Sequence, residues 1–370
     1  MRDRGWVLVA GGGNGQNKTT LATVRCAAAA GYRAAVAVAA PQSLATSSRH
    51  CARLVRTPAV SSPEYGDAVQ AELADREYLA VLPTSDAALR ALSPSMEYLL
   101  DKRLLDSFAR AAGLPGPPTQ AFATPAALRQ SASGLTYPVV VKPTTKRYEA
   151  RRIDSGAELA QPLPDDGPVL VQPYLSGGMS AVGGVVWRGR LVAAVHQRYL
   201  RTWPVDCGGA SFAVTVAPDL KLEERLIRLL TGYDGIFMAQ LAEGHLLDLN
   251  PRVYGSMPLA AKAGANLVGV YCDFLKGVAP AHEPLRARPG VYYRWLEGDL
   301  KHLAHARRHG QTGLWATLAA LRPRLGAAHG PESLRDPRPM LARLRYLAHQ
   351  QAPVLWPEHQ AQTPESASTT

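Results

Sequence analysis

Gln240, Asp248 and Asn250 are the residues whose types and spacing most directly suggest chemistry. They stand in Ile236-Phe237-Met238-Ala239-Gln240-Leu241-Ala242, then Glu243-Gly244-His245, then Leu246-Leu247-Asp248-Leu249-Asn250-Pro251-Arg252. Two apolar runs around a short polar segment read as a β-hairpin. If Glu243 to His245 form a three-residue loop, Gln240 lies directly opposite Asp248. Side chains alternate along a strand, so Asn250 shares their face. Phe237, Ala239, Leu241, Leu247 and Leu249 then take the other face, which belongs to a core. A two-residue turn would break this register. Three oxygen-bearing side chains on one face suit a hard cation such as Mg²⁺, which takes few protein oxygens and adds phosphate oxygens. Arg252 follows on the same side, and its planar fork suits a phosphate or an acyl phosphate. The plain alternative is a polar, solvent-facing strand face.

Two other groupings invite chemistry and fit it less well. Gly12-Gly13-Asn14-Gly15-Gln16-Asn17-Lys18-Thr19 nearly matches a phosphate-binding P-loop, but Asn17 stands where glycine must let the backbone wrap the phosphates. Asp86 is the nearest thing to the aspartate such a loop needs downstream. A dinucleotide site fails too, at Gln16, and no Asp or Glu lies between Asp3 and Glu64 to hold a ribose. The loop reads as a tight turn from a strand into a helix, lining a substrate pocket. His302, His305 and His309 could share a helix face and bind metal, but no acid or cysteine joins them, which favours a solvated basic face.

These groups need elements to position them. Trp6 to Ala10 reads as a strand, Lys18 to Ala30 as a helix, and Arg33 to Ala40 as a second strand, so a parallel sheet opens the chain. Leu79 to Pro83 is another buried strand. Asp101 to Ala112 is a helix, and Pro115-Gly116-Pro117-Pro118 a rigid linker. Strands follow at Pro138 to Lys142, Pro168 to Gln172, Val182 to Trp187 and Leu191 to His196, with a hairpin turn at Arg188-Gly189-Arg190. Glu223 to Leu230 is helical. The segment after Tyr292 mixes helix and loop, and Pro364 to Thr370 reads as a disordered end.

The chain has 370 residues, 46% apolar and 19% charged, which fits a globular protein of two or three domains and not a disordered one. It carries no apolar run long enough to span a membrane and no signal-peptide pattern at Met1-Arg2-Asp3-Arg4-Gly5, so a cytoplasmic protein is expected. Cys26, Cys51, Cys207 and Cys272 form no CxxC pair and read as free thiols. The net charge of +11 is uneven, with 12 Lys/Arg against 4 Asp/Glu from Arg286 to Arg345. That stretch lacks zinc-finger spacing and RNA-binding aromatic motifs. It reads as a solvated basic surface, which argues against nucleic acid as a partner.

The hairpin and its flanks resemble the ATP-grasp superfamily, in the branch of carboxylate–amine ligases and the carbamoyl-phosphate synthase large chain. Gln240, Asp248 and the Asn250-Pro251-Arg252 triplet carry the match, and Gly255-Ser256-Met257-Pro258-Leu259, Ala263-Gly264 and Asp273-Phe274 extend it. Upstream, Asp101-Lys102 and Ala111-Ala112-Gly113-Leu114-Pro115 are similar to the opening of the ATP-grasp domain. Tyr137-Pro138-Val139-Val140-Val141-Lys142-Pro143 is similar to its lid strand, with Thr144-Thr145-Lys146-Arg147-Tyr148 as a flexible lid.

The resemblance implies an α/β (α+β) ATP-grasp fold. A Rossmann-like pre-ATP-grasp domain would span 1–97. The ATP-grasp domain would span 98–282, with a lid lobe at about 115–172, and a basic C-terminal extension 283–370. It implies ATP with Mg²⁺, or Mn²⁺ in its place. Gln240, Asp248 and Asn250 would hold the metal, Lys102 and Lys142 the phosphates. Val171-Gln172-Pro173-Tyr174-Leu175 resembles the segment whose backbone pairs with adenine, which makes Gln172, Tyr174 and Leu175 nucleotide contacts. Gln172 and Pro173 stand where acids are common, and Met179 and Ser180 near the expected ribose-binding acid. Arg252, Lys142 and Arg198 would serve catalysis, Arg198 beside the reacting carboxylate. Ser47-Ser48-Arg49 and Asp336-Pro337-Arg338-Pro339 also match one ligase subgroup.

The implied activity is an ATP-dependent, ADP-forming carboxylate–amine ligase that works through an acyl phosphate on small-molecule acid and amine substrates. A homodimer is compatible with it. The alternative is an ATP-binding regulatory or partner protein of the same fold without ligase activity.

Overall fold

The computed structural model describes residues 4–11, 15–40, 43–279, 281–324 and 326–351. Gly12, Gly13 and Asn14 of the glycine loop, and the end at Pro364 to Thr370, lie outside them. Three sheets follow one another along the chain. The first is parallel, in the order β3-β2-β1-β4, from β1 (Trp6–Ala10), β2 (Arg33–Val38), β3 (Cys51–Arg56) and β4 (Ala80–Pro83). β1 and β2 are almost wholly buried, which is why they read as continuous apolar runs.

Helices α1 (Lys18–Ala29), α2 (Tyr65–Asp75) and α3 (Asp86–Leu92) connect this sheet. Asn17 caps α1: its side chain accepts from the Thr19 amide at 2.8 Å. The residue that spoils a P-loop is thus a helix cap. Asn17 also donates to the Thr84 carbonyl at 3.2 Å, tying the helix start to the end of β4.

After α4 (Glu97–Leu100) and α5 (Lys102–Ala111), a small antiparallel sheet forms in the order β5-β8-β6-β7. Its strands are β5 (Gln120–Phe122), β6 (Val139–Pro143), β7 (Arg151–Ile153) and β8 (Val169–Pro173), with α6 (Pro125–Gln130) and α7 (Gly156–Leu159) beside them. The third sheet runs β13-β12-β9-β10-β11-β15-β16, with β14 beside β10. Its members are β9 (Met179–Trp187), β10 (Arg190–Trp203), β11 (Gly209–Thr215), β12 (Gly235–Ala242), β13 (His245–Asn250), β14 (Leu285–Arg286), β15 (Tyr292–Arg294) and β16 (Ala328–His329). Strands β9 and β10 run longer than their apolar runs suggest.

The large sheet buries both faces in separate cores. Val182, Val186, Ala194, Phe237, Ala239 and Leu249 pack toward α5 and α8 (Leu220–Leu229). Ala181, Val185, Val195, Tyr199 and Met238 face a core shared with α1, α9 (Met257–Lys262) and α10 (Leu267–Leu275). A fully buried side chain such as Phe237 contributes about 1.5–3 kcal/mol. Two-sided burial therefore fixes which face each residue takes.

The C-terminal segment is built into this body. β14 pairs with β10 and β15 with β11, and α11 (Leu296–Arg308), α12 (Leu314–Ala320) and α13 (Arg338–Gln351) follow. Asp336 accepts hydrogen bonds from the Ser48 hydroxyl at 2.6 Å, the Arg49 amide at 3.1 Å and Arg25 at 2.9 Å. The two matched segments of the ligase subgroup, 287 residues apart at Arg49 and Asp336, form one latch. Together Arg25 and these donors hold the Asp336 carboxyl below its ordinary range against the opposing effect of burial.

Candidate active site

The hairpin stands, with one change in its turn. Glu243 (φ 50°) and Gly244 (φ 80°) form a two-residue connection with positive φ at both positions. Leu241 then faces Leu246, whereas Gln240 still faces Asp248 and Met238 faces Asn250. A bulge at Leu247 absorbs the extra residue and restores the register. Leu246 therefore takes the core place expected for Leu247, while the half-buried Leu247 turns to a cavity.

That cavity, about 450 Å³, lies between the hairpin, the small sheet and the start of α1. It is lined by nine of the ten residues singled out in the sequence: Lys102, Lys142, Gln172, Tyr174, Leu175, Gln240, Asp248, Asn250 and Arg252. Lys102 opens α5 behind the Asp101 cap and pairs with Asp248 at 3.1 Å. Burial opposes the Lys102 charge, but Asp248 outweighs it and raises the pKa. Burial likewise disfavours charge on Asp248, yet Lys102, Lys146 and Lys142 hold its pKa below the ordinary value.

Lys142 projects from a strand of valines. Its Nζ donates to the Leu247 carbonyl at 2.9 Å, the residue of the bulge. Desolvation and the neighbouring Lys102 lower its pKa to about 8. A buried ammonium without a carboxylate partner is costly to hold, and an incoming phosphate would relieve that cost.

Arg252 is anchored more firmly than the sequence suggests. Its Nε donates to Asp86 at 2.6 Å, its Nη2 to Asn250 Oδ1 at 2.7 Å and its Nη1 to the Val253 carbonyl at 2.9 Å. Asp86 opens α3 of the first sheet's layer, so the residue noted as a near Walker aspartate instead positions an arginine.

The oxygen set fits a metal in part. Lys102 occupies Asp248 Oδ1 and leaves Oδ2 without a partner among the described residues. Gln240 donates its amide to Tyr199 at 3.3 Å, which leaves its Oε1 available. Asn250 Oδ1 already accepts from Arg252. One carboxylate and neutral oxygens suit Mg²⁺ completing its shell with phosphates.

The base-binding candidates lie at the end of β8, at Gln172, and just past it, at Tyr174 and Leu175. Val140 pairs with Gln172, whose side chain donates to Thr119 at 2.8 Å. The Tyr174 amide bonds the Pro138 carbonyl at 3.0 Å, and Arg152 stacks over its ring at 4.3 Å. The Leu175 amide has no backbone partner among the described residues. It is free to meet a base edge.

The structure does not bring Arg198 to this cavity. On β10, Gln197 and Tyr199 face the cavity side, where they meet Ser256 and Gln240. Alternation puts Arg198 on the face of His196, which meets Glu223 of α8 at 3.0 Å, and Arg198 is exposed there. The histidines of α11 and its C-cap do not form a ligand set either: His302 bonds the Thr202 carbonyl, and His305 and His309, the cap, stack at 4.0 Å. Among the described residues no cluster of His, Cys, Asp or Glu could hold a metal by itself. All four cysteines are free, and no described helix is long and apolar enough to cross a membrane.

Sequence reasoning missed Trp295, Tyr254 and Met238, which also line the cavity, as do Lys146 and Tyr148 of the expected lid. Lys18, set aside with the P-loop, returns as a lining residue. No local pattern marks Trp295, Tyr254 or Met238; they meet only through the fold.

No family model matches the chain, and no curated protein matches its sequence. Solved structures do match its fold. An L-amino acid ligase from Bacillus licheniformis is 18% identical, with a TM-score of 0.54 over 74% of each chain. An N5-carboxyaminoimidazole synthetase from Staphylococcus aureus is 12% identical, TM-score 0.57, over 78% of this chain and 80% of that one. The biotin carboxylase domain of the Hydrogenobacter thermophilus 2-oxoglutarate carboxylase, solved with MgADP and bicarbonate, is 14% identical, TM-score 0.57, over 78% and 73%. The chain has the ATP-grasp fold that its motifs resemble.

Proposed function

We propose that the chain is an ATP-dependent, ADP-forming carboxylate–amine ligase acting on small molecules. One observation carries this reading. Lys102 paired with Asp248, Lys142 on the bulge carbonyl and Arg252 clamped to Asn250 line one cavity, opposite the free backbone edge after β8. Such a wall neutralises phosphate charge, which phosphoryl transfer needs more than it needs an acid–base pair. The fold's occurrence in a biotin carboxylase domain solved with MgADP supports it.

In this reading a substrate carboxylate oxygen attacks the γ-phosphorus, and the bond to the departing ADP breaks. Lys142 and Lys102 hold the transferring group, and Arg252 keeps a fixed orientation toward the acyl phosphate. The amine nitrogen then attacks the acyl carbon, phosphate leaves with the former carboxylate oxygen, and the nitrogen loses a proton. Asp248, Gln240 and Asn250 would hold Mg²⁺, which supplies positive charge to the nucleotide phosphates. A non-catalytic ATP-binding role is less favoured, since the phosphate-facing charges are all present. Four free thiols fit a reducing, cytoplasmic setting.

The test is ADP release across a matrix of acids and amines. Release that requires both an acid and an amine, and disappears with EDTA, is expected. ATP turnover indifferent to every acid and amine would refute the reading.

A further inference from the structure

Lys18, which opens α1, and Trp295, the N-cap of α11, are far apart in sequence and meet in the cavity wall. The Lys18 ammonium lies 3.3 Å from the centroid of the Trp295 ring. Among the described residues it makes no hydrogen bond and no ion pair. The other cavity cations are engaged: Lys102 by Asp248, Lys146 by Glu149, Arg252 by Asp86 and Lys142 by a carbonyl.

The pair is held in place on both sides. A Cβ at Gly255 would stand 3.0 Å from the Lys18 stem, so that glycine leaves the lysine its path. A Cβ at Gly298 would stand 2.4 Å from the indole, so that glycine leaves the ring its seat. The buried Tyr254 hydroxyl, in the same lining, has no hydrogen-bond partner among the described residues.

A half-buried ammonium on an aromatic face, with open cavity before it, is set to take an anion. Gly255 lies three residues past Arg252, so this wall adjoins the phosphate site. We infer that Lys18 and Trp295 form a substrate-recognition subsite in which the ammonium binds a substrate carboxylate and the indole packs on the adjoining carbon skeleton. The inference deepens the ligase reading for turnover, but its binding arm stands without it. The carboxylate is either the one to be phosphorylated or a second one carried by the amine. Burial lowers the Lys18 pKa to about 7, against the attraction of Glu332, Glu149 and Glu297 and with the repulsion of Lys146. Carboxylate affinity should therefore weaken as pH rises above about 7.

The experiment compares wild type with Lys18→Met, Lys18→Arg and Trp295→Leu in the full chain. Probes are acetate, succinate, glutarate and the common α-amino acids, with binding read by thermal shift and turnover by ADP release. Lys18→Met should raise the KM or Kd of one carboxylate-bearing substrate at least tenfold and leave the KM for ATP unchanged. Lys18→Arg should recover most of the affinity and lose its pH dependence, and Trp295→Leu should give a smaller rise. If the effect appears in the acid's KM, the ligand is the activated acid; if it appears only in the amine's KM, it is the acceptor. Unchanged KM and Kd in Lys18→Met, or a wild type that binds no probe, overturns the subsite. Absence of ADP release with Lys18-dependent probe binding intact would instead sink the ligase reading and leave the subsite standing.

Discussion

The two long walls of the cavity are built by different means. The hairpin wall is made of charges and amides locked to one another: Lys102 to Asp248, Arg252 to Asn250 and to Asp86. The wall at the end of β8 offers uncharged side chains and backbone at Gln172, Tyr174 and Leu175. Charge arranged before substrate arrives lowers the barrier to phosphoryl transfer, whereas a base needs only a matching edge and an apolar cover. Changes on the first wall should strike turnover, and changes on the second should strike nucleotide affinity.

The sharpest break of that contrast is at Asp248. Asp248→Asn keeps the shape but leaves the Lys102 ammonium without its anion. We expect kcat to fall about 10²–10³-fold, with a smaller change in KM for ATP. An equal loss in both would erase the contrast between the walls.

Lys142→Met should lower kcat about 10²-fold. Wild-type activity also carries a pH signature here. The Lys142 pKa is lowered to about 8, so its charged form is lost as pH rises through that value. kcat/KM for ATP should fall on the alkaline side from about pH 8, because that ratio reports the free enzyme. Lys142→Arg keeps the charge and should remove this limb; a limb that persists would assign it to another group.

Asp86→Ala tests whether the arginine on the hairpin wall owes its position to the N-terminal layer. The Arg252–Asp86 pair is about nine-tenths buried, and removing one member of a buried pair costs about 3–5 kcal/mol. A chemical-denaturation curve should show that loss, and kcat should fall with it. Unchanged stability would mean that Asn250 and the Val253 carbonyl suffice.

On the other wall, Gln172→Ala removes one side-chain bond to Thr119. A net hydrogen bond is worth about 0.5–1.5 kcal/mol, so KM for ATP should rise about 2–10-fold with kcat unchanged. A fall in kcat instead would bring Gln172 into the chemistry.

The same contrast explains what was legible in the sequence. Asp248, Asn250 and Lys142 stand out because a polar residue in an apolar strand demands a reason. The parallel start and the hairpins are legible because their apolar periods and turn residues agree. The two-residue turn at Glu243-Gly244 was not, because a bulge at Leu247 hides it from residue counting. Arg198 had its motif but not its face, since strand parity follows from the neighbours of Gln197 and Tyr199. Asp86 and Lys18 drew notice for the wrong partners and Trp295 drew none, because the contacts are distant in sequence: Arg252 lies 166 residues from Asp86, and Lys18 meets Trp295. The latch between Ser48 and Asp336 shows the reverse case, where two local matches pointed to one contact.

Oxygen tracing tests the central claim most directly. With the acid labelled by ¹⁸O in its carboxylate, turnover with ATP and the amine should place one ¹⁸O atom in the released inorganic phosphate. Phosphate that carries no label while the amide forms would contradict an acyl-phosphate intermediate, and with it this account of the cavity.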